Sequence, residues 1–99
     1  MERLICKILK IAKKFPHPMS KEERFIQLVE EVGELANAIA TTEGHKAKKL
    51  ARADLKDSFA DVLFDLVVLA DLYRVDLEKE TEEMLKRLEK RIESKEFEF

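Results

Sequence analysis

Residues that end helices are scarce in this chain, and their positions limit what it can fold into. There are two prolines, Pro16 and Pro18, and two glycines, Gly33 and Gly44. Proline lacks the amide donor that a helix requires, and glycine commonly follows the last helical residue. The stretches between them are rich in hydrophobic and charged residues, which make up 45% and 40% of the chain. This pattern predicts an all-α fold rather than a disordered chain.

Hydrophobic spacing divides the chain into four amphipathic segments. Ser20 and Glu23 have the spacing of a capping box at the start of the second segment, and Gly44 follows its end. Asp76 is a suitable N-cap for the last segment. The predicted helices cover residues 2–15, 21–42, 46–74 and 77 onwards. We therefore expect residues 1–99 to form a single domain, a four-helix bundle.

The middle of the third predicted helix, residues 59–70, is apolar on almost every side. A helix of this kind is buried within a bundle or at a contact between subunits. A domain of 99 residues has a modest core, so association with further copies would add to its stability. We expect a homodimer or homotetramer that is joined through this helix.

Charge and cysteine content exclude several classes of protein. The net charge of −2 creates no field that would attract nucleic acid. No stretch approaches the roughly 20 apolar residues of a membrane span, and charges interrupt the N-terminal segment too often for a signal peptide. The single cysteine, Cys6, cannot form an internal disulfide and suits a reducing compartment. We expect a cytoplasmic protein that binds neither membranes nor nucleic acid polymers.

Acidic residues are concentrated on the second and third predicted helices. On the second helix, Glu31 and Glu34 lie one above the other along the flank of an apolar stripe, and Glu30 lies a little further round. That stripe, which we expect to face the core, consists of Leu28, Val29, Val32, Leu35, Ala36 and Ile39. On the third helix, four residues fall within an arc of about 80°: Asp54, Asp57, Asp61 and Asp65.

Two of these aspartates, Asp61 and Asp65, lie among bulky hydrophobic residues. Ionised carboxylates in such surroundings must be paired, protonated or bound to a cation. If the two helices pack together, their carboxylates would form an all-oxygen site of the kind that Mg²⁺ or Mn²⁺ prefers. Salt bridges to the many lysines and arginines, or simple solvation, are the alternative.

The acidic blocks resemble the motifs of the MazG-like nucleotide pyrophosphohydrolases. These enzymes belong to the all-α NTP pyrophosphatase superfamily, with the dimeric dUTPases and the dCTP pyrophosphatases. The first family motif, Glu-Glu-x-x-Glu, is present at residues 30–34, and Leu35-Ala36 follows it as is usual in the family. The second, Glu-x-x-Asp, aligns with residues 58–61, and the family-like Val62-Leu63 follows. The resemblance covers residues 22–77.

This resemblance implies roles for individual carboxylates. Glu31, Glu34 and Asp61 correspond to ligands of Mg²⁺ or Mn²⁺, and Glu30 is the acid that could orient or deprotonate a water molecule. The implied reaction is the hydrolysis of a nucleoside or deoxynucleoside triphosphate to the monophosphate and pyrophosphate, in a house-cleaning role. The ion would neutralise phosphate oxygens and help to activate the water.

The chain departs from the family pattern at two places. The glutamate of the second motif is Ser58 here, so Asp57 or Asp65 would have to replace it as a ligand. The lysine and asparagine that often contact the phosphates from the last helix align with Met84 and Leu88. The basic residues that could serve instead, from this subunit or another, are Lys86, Arg87, Lys90 and Arg91. The alternative reading is a weakened or inactive relative that acts as a nucleotide-binding, metal-binding or oligomeric helical protein.

Overall fold

A computed structural model describes residues 2–44 and 52–95, which contain four helices and no strand. The helices are α1 (Glu2–Ala12), α2 (Lys21–Thr42), α3 (Arg52–Leu72) and α4 (Leu77–Glu93). The prediction of an all-α fold is therefore confirmed. The first helix ends three residues earlier than predicted, and the predicted start of the third, near Lys46, lies outside the described residues. No helix in the described ranges has the length and apolar content that crossing a membrane requires.

The predicted capping signals are present at the helix ends. At the start of α2, the Glu23 amide donates to Ser20 Oγ over 3.1 Å, and the Ser20 amide donates to Glu23 Oε1 over 2.9 Å. The Ser20 amide, and secondly the Ser20 side chain, hydrogen-bond to the Glu23 carboxylate and hold the pKa of Glu23 below its ordinary value. The Lys79 amide donates to Asp76 Oδ1 over 3.1 Å at the start of α4. Gly44 adopts a φ of 81° just after α2, a conformation that glycine tolerates far better than other residues.

Helix α3 is the central element of the fold. Most of the contacts between helices join α2 to α3, and α1 and α4 also pack on α3. The buried apolar residues of the described chain are only Ala38, Val67 and Val68. The radius of gyration of the Cα atoms is 16.8 Å, whereas a compact domain of this length has about 13 Å. A single copy therefore forms an open arrangement with a small core.

The predicted core stripe of α2 is only partly correct. Val29 is 54% exposed and Val32 is 47% exposed, so this part of the stripe points away from α3. The side of α2 that faces α3 instead carries polar residues, including Arg24 and Glu31, together with the buried Ala38. The prediction was wrong for Val29 and Val32 because α2 has two possible packing sides, and on the polar side Arg24 binds Asp65 of α3.

A buried ion pair connects α2 to α3. Arg24 Nη1 donates to Asp65 Oδ1 over 2.8 Å, and the two residues are 5% and 4% exposed. The guanidinium also lies over the ring of Phe64, with its central carbon 5.9 Å from the ring centroid. A buried charge is tolerated only with a close opposite charge. This contact therefore fixes which side of α2 faces α3.

Loss of either partner should strongly destabilise the protein. Arg24→Met or Asp65→Leu leaves a buried charge unpaired, which typically costs about 3–5 kcal/mol. The double variant removes both charges and should recover most of that loss. Urea unfolding at one fixed protein concentration measures the differences, and Arg3→Met, an exposed change on α1, serves as the control. Additive costs in the double variant would contradict the pairing.

Candidate metal centre

A row of polar side chains runs along the contact between α2 and α3. On α2, residues three or four positions apart stack on one side of the helix. The α2 residues are Arg24, Gln27, Glu31 and Glu34. On the facing side of the contact lie Asp65, Asp61 and Ser58 of α3. The row has a cation, Arg24, at one end, and its other charged members are all carboxylates. Charge along the contact is therefore balanced at one end only.

Two clefts open along this row, and Asp61 lines both of them. The first cleft has a volume of about 290 Å³. It is lined by Phe15, Met19, Arg24, Gln27, Glu31, Asp61, Phe64 and Asp65. The second cleft has a volume of about 480 Å³. It is lined by Glu34, Asn37, Asp54, Asp57, Ser58 and Asp61.

Glu31 is the carboxylate in the least favourable environment. Gln27 Nε2 donates to Glu31 Oε1 over 2.7 Å, but Glu31 Oε2 is buried and has no hydrogen-bond partner. Burial raises the pKa of Glu31 above its ordinary value, and the Gln27 bond opposes this shift. The nearby charges of Glu34, Asp61 and Asp65 raise the pKa of Glu31 further. An orphaned oxygen surrounded by like charges is a favourable place for a cation.

The structure brings some of the predicted metal ligands together and separates others. The charges of Glu34 and Asp61 act on Glu31, and Glu34, Asp57 and Asp61 line the second cleft together. Asp65 lies at the other end of the row, where Arg24 binds it. Glu30 is exposed and lines neither cleft.

The predicted phosphate-binding residues are not part of these two clefts. Lys86, Arg87 and Lys90 lie on the exposed outer part of α4, and no residue of α4 lines either cleft. Ser58 lines the second cleft and is buried, so the serine occupies the place of the motif glutamate without bringing a charge. The assignments of these residues stay predictions.

The ligand atoms available in these clefts are of the chemical type that a hard divalent cation binds. Carboxylate oxygens from two helices, one of them buried and unpartnered, are what Mg²⁺ or Mn²⁺ binds. As placed, however, no three acidic, histidine or cysteine side chains within residues 2–44 and 52–95 meet closely enough to hold one ion. Mg²⁺ commonly binds through one or two carboxylates and keeps several waters, so such a convergence is not required of it.

Sequence reasoning missed Arg24 and Gln27. Both precede Glu31 on the same side of α2, at spacings of seven and four residues, and this periodicity could have identified them. They were overlooked because the apolar stripe of α2 was expected to face the core. The aromatic part of the first cleft was missed as well. The centroids of the Phe15 and Phe64 rings are 6.0 Å apart, but the two residues are distant in sequence.

The family model of the MazG nucleotide pyrophosphohydrolase domain matches residues 20–95. The chain belongs to the MazG family. The match includes α2, α3 and α4, and with them both acidic motifs. Comparison with curated proteins and with solved structures gave no match. Membership of the MazG family gives the acidic row a context in nucleotide chemistry.

The raised pKa predicts how Glu31 affects the stability of the metal-free fold. When the pKa of an acid is higher in the folded state, the unfolded chain releases its proton first. Stability then falls as the pH rises from about 4.3, the ordinary value for glutamate, through the raised folded value. Glu31→Gln stays neutral and keeps an oxygen for the Gln27 amide. It should raise the melting temperature by a few degrees at neutral pH and change it little near about pH 4.

Thermal unfolding followed by circular dichroism at the two pH values measures this effect. Glu30→Gln, at the exposed neighbouring position, is the matched control and should shift the melting temperature less. A lower melting temperature for Glu31→Gln at neutral pH would mean that the carboxylate stabilises the metal-free protein.

Proposed function

We propose that this MazG-family protein is a Mg²⁺-dependent nucleoside triphosphate pyrophosphohydrolase, which releases pyrophosphate and the nucleoside monophosphate. The observation that carries the proposal is the unpartnered, buried oxygen of Glu31 beside the charges of Glu34 and Asp61. In a family of nucleotide pyrophosphohydrolases, such a group is best explained as a cation ligand. A house-cleaning role in the cytoplasm accords with this proposal.

The acidic residues divide into three roles. Glu31, Glu34 and Asp61 would hold the ion, and Asp57 is the better placed substitute for the missing motif glutamate because Arg24 already binds Asp65. Bound Mg²⁺ or Mn²⁺ supplies neutralisation of phosphate oxygens and a more acidic water ligand. Glu30 is exposed and lines neither cleft, so it would orient a water molecule and accept its proton only if another subunit or the bound substrate extended the site to that side of α2.

The first cleft suits the nucleoside part of a substrate. Phe15, Phe64 and Met19 give it an apolar lining next to Glu31 and Asp61. Planar bases stack on aromatic rings, while the phosphates require the cation. A nucleoside triphosphate would contact both the aromatic lining and the cation, whereas inorganic polyphosphate would contact only the cation. Lys86, Arg87 and Lys90 would contact the phosphates only if another subunit brought them to the clefts.

A second copy of the chain would complete the open fold. On the side of α2 away from the acidic row, Phe25, Val29 and Val32 are exposed, and Phe59 and Leu66 are exposed on α3. Helical positions place these residues on the side of the α2–α3 pair opposite Glu34 and Asp57. A homodimer or homotetramer that covers this surface would bury apolar area that one copy leaves in water.

Pyrophosphate release tests the activity. The protein is incubated with Mg²⁺ and a panel of standard and modified ribo- and deoxyribonucleoside triphosphates. Glu31→Ala and Asp61→Ala should each lower kcat/KM by about 100-fold or more, since even loss of a group that orients a metal ligand typically costs 10–100-fold. Glu22→Ala is the control, because Glu22 is exposed on α2 and lines neither cleft. Equal activity in all three variants would refute the proposed site.

The buried Ser58 favours a second candidate function, a binding protein with weak or no hydrolytic activity. The position lines the second cleft but contributes no charge, so the site has one anionic ligand fewer than the family motif. In that case Mg²⁺ together with a non-hydrolysable nucleotide would raise the melting temperature although no pyrophosphate is released.

Restoring the motif distinguishes the two candidates. Ser58→Glu adds a carboxylate that can extend into the second cleft, and it should lower the Mg²⁺ concentration needed for half-maximal activity several-fold. Ser58→Ala, the matched control, should leave that concentration unchanged. If Ser58→Glu creates activity where the natural chain has none, the natural protein is the binding relative. If it folds normally and changes neither Mg²⁺ dependence nor activity, position 58 does not face the ion.

A further inference from the structure

Helix α4 is only weakly integrated into its own chain. None of its residues is buried, and Leu85 and Ile92 are 54% and 63% exposed. An open groove of about 310 Å³ lies between α4 and residues of α1 and α3. The α4 residues in the groove are confined to the first half of the helix: Leu77, Glu78, Thr81, Glu82 and Leu85. The second half of α4 thus extends beyond this groove.

An apolar stripe continues along that extension. Met84, Leu85, Leu88 and Ile92 fall within an arc of about 100° on the helix. Met84, Leu85 and Ile92 are exposed and Leu88 is half-buried. Side chains at this spacing are typical of a helix that packs on another helix. Within the described chain, the stripe has no helix packed along its full length.

The charge of α4 reverses along the helix. Residues 77–85 contain four glutamates and one lysine, whereas residues 86–93 contain four basic residues and two glutamates. The helix dipole explains acidic first turns and basic last turns, but its influence fades within one turn of each end. Glu83 and Arg87 lie further inside, and neither forms an ion pair within residues 2–44 and 52–95.

Because the charge of α4 changes sign along the helix, two α4 helices that run in opposite directions place acidic residues opposite basic ones. Glu80 lies four residues before Met84 and Arg87 three residues after it, on the flank of the stripe that turns away from the groove. If two α4 helices cross in opposite directions near Met84, each Glu80 faces the Arg87 of the other copy. In a parallel pair the acidic halves would meet and the basic halves would meet, which is unfavourable.

We propose that α4 is a contact between two copies of this chain, in which the α4 helices pack antiparallel around Met84 across a two-fold axis. The exposed end of the stripe at Ile92 then packs near Leu77 of the other copy. This surface lies on α4, whereas the apolar side described above lies on α2 and α3, and of that side only Leu66 also lines the α4 groove. The contact does not depend on the proposed enzymatic activity. Two different two-fold contacts on one chain produce a tetramer.

Disulfide trapping tests the position and direction of this contact. In a Cys6→Ser background the chain has no thiol of its own, because Cys6 is its only cysteine. Met84→Cys lies at the proposed crossing and should give a covalent dimer under mild oxidation. Ile92→Cys is the matched control on the same stripe. In an antiparallel pair its two copies lie more than about 20 Å apart along the axis, far beyond the roughly 4.4–6.8 Å between Cα atoms that a disulfide needs.

The outcomes of the trapping experiment are distinct. A covalent dimer from Met84→Cys and none from Ile92→Cys supports the proposal. Dimers from both variants indicate a parallel pair, and dimers from neither indicate no contact through α4, so either result overturns it. Circular dichroism confirms that each variant is folded, which is expected because both positions are exposed.

Charge reversal provides an independent test with the noncovalent protein. Glu80→Arg places a basic residue opposite Arg87, and Arg87→Glu places an acidic residue opposite Glu80. Each variant alone should therefore lose the α4 contact and sediment as a smaller oligomer than the natural protein. An equimolar mixture of the two variants should recover the larger oligomer, because every facing pair is then of opposite charge. The double variant should assemble with itself but exclude the natural chain. Unchanged assembly in both single variants would overturn the proposal.

Discussion

The buried contact between Arg24 and Asp65 determines how the two long helices meet. Their charged atoms are 2.8 Å apart in a part of the structure that water hardly reaches, so neither side chain can be left without the other. Because α2 is a rigid helix, fixing Arg24 also fixes the direction of every side chain that follows it at spacings of three or four residues. Glu31 is therefore held between the helices, beside Asp61, rather than on the outer surface. The position of the acidic row and the packing of the fold consequently depend on the same contact.

This arrangement also explains why one copy is so open. Turning the polar side of α2 towards α3 leaves Val29 and Val32 in water, and the contact contains little apolar area. A fold that uses its best helix-to-helix contact for a row of charges must bury apolar surface elsewhere. The exposed stripes on α2, α3 and α4 supply such surface. The exposed apolar stripes and the buried acidic row both follow from the polar side of α2 packing on α3.

The sequence predicted those features that depend on local chemistry. The capping residues Ser20 and Asp76 act over three residues, so the starts of α2 and α4 could be located from them. The acidic blocks were equally visible, and the family match includes both. The rotation of α2 was not predictable from its own residues, because the helix has an apolar side and a polar side that can each pack. Asp65 on another helix decides between them, and a single sequence does not reveal that pairing.

The charges along the α2–α3 contact explain why only part of the acidic row is available to an ion from solution. Arg24 is the basic residue of the first cleft, and Asp65 binds it. No basic side chain of the described chain lines the second cleft, which contains Asp57 and Asp61. Glu31 stands between these two ends, with one oxygen bound by Gln27 and the other without a partner. The protein thus supplies the cation at one end of the row, whereas the carboxylate oxygens at the other end are of the type that a divalent ion prefers.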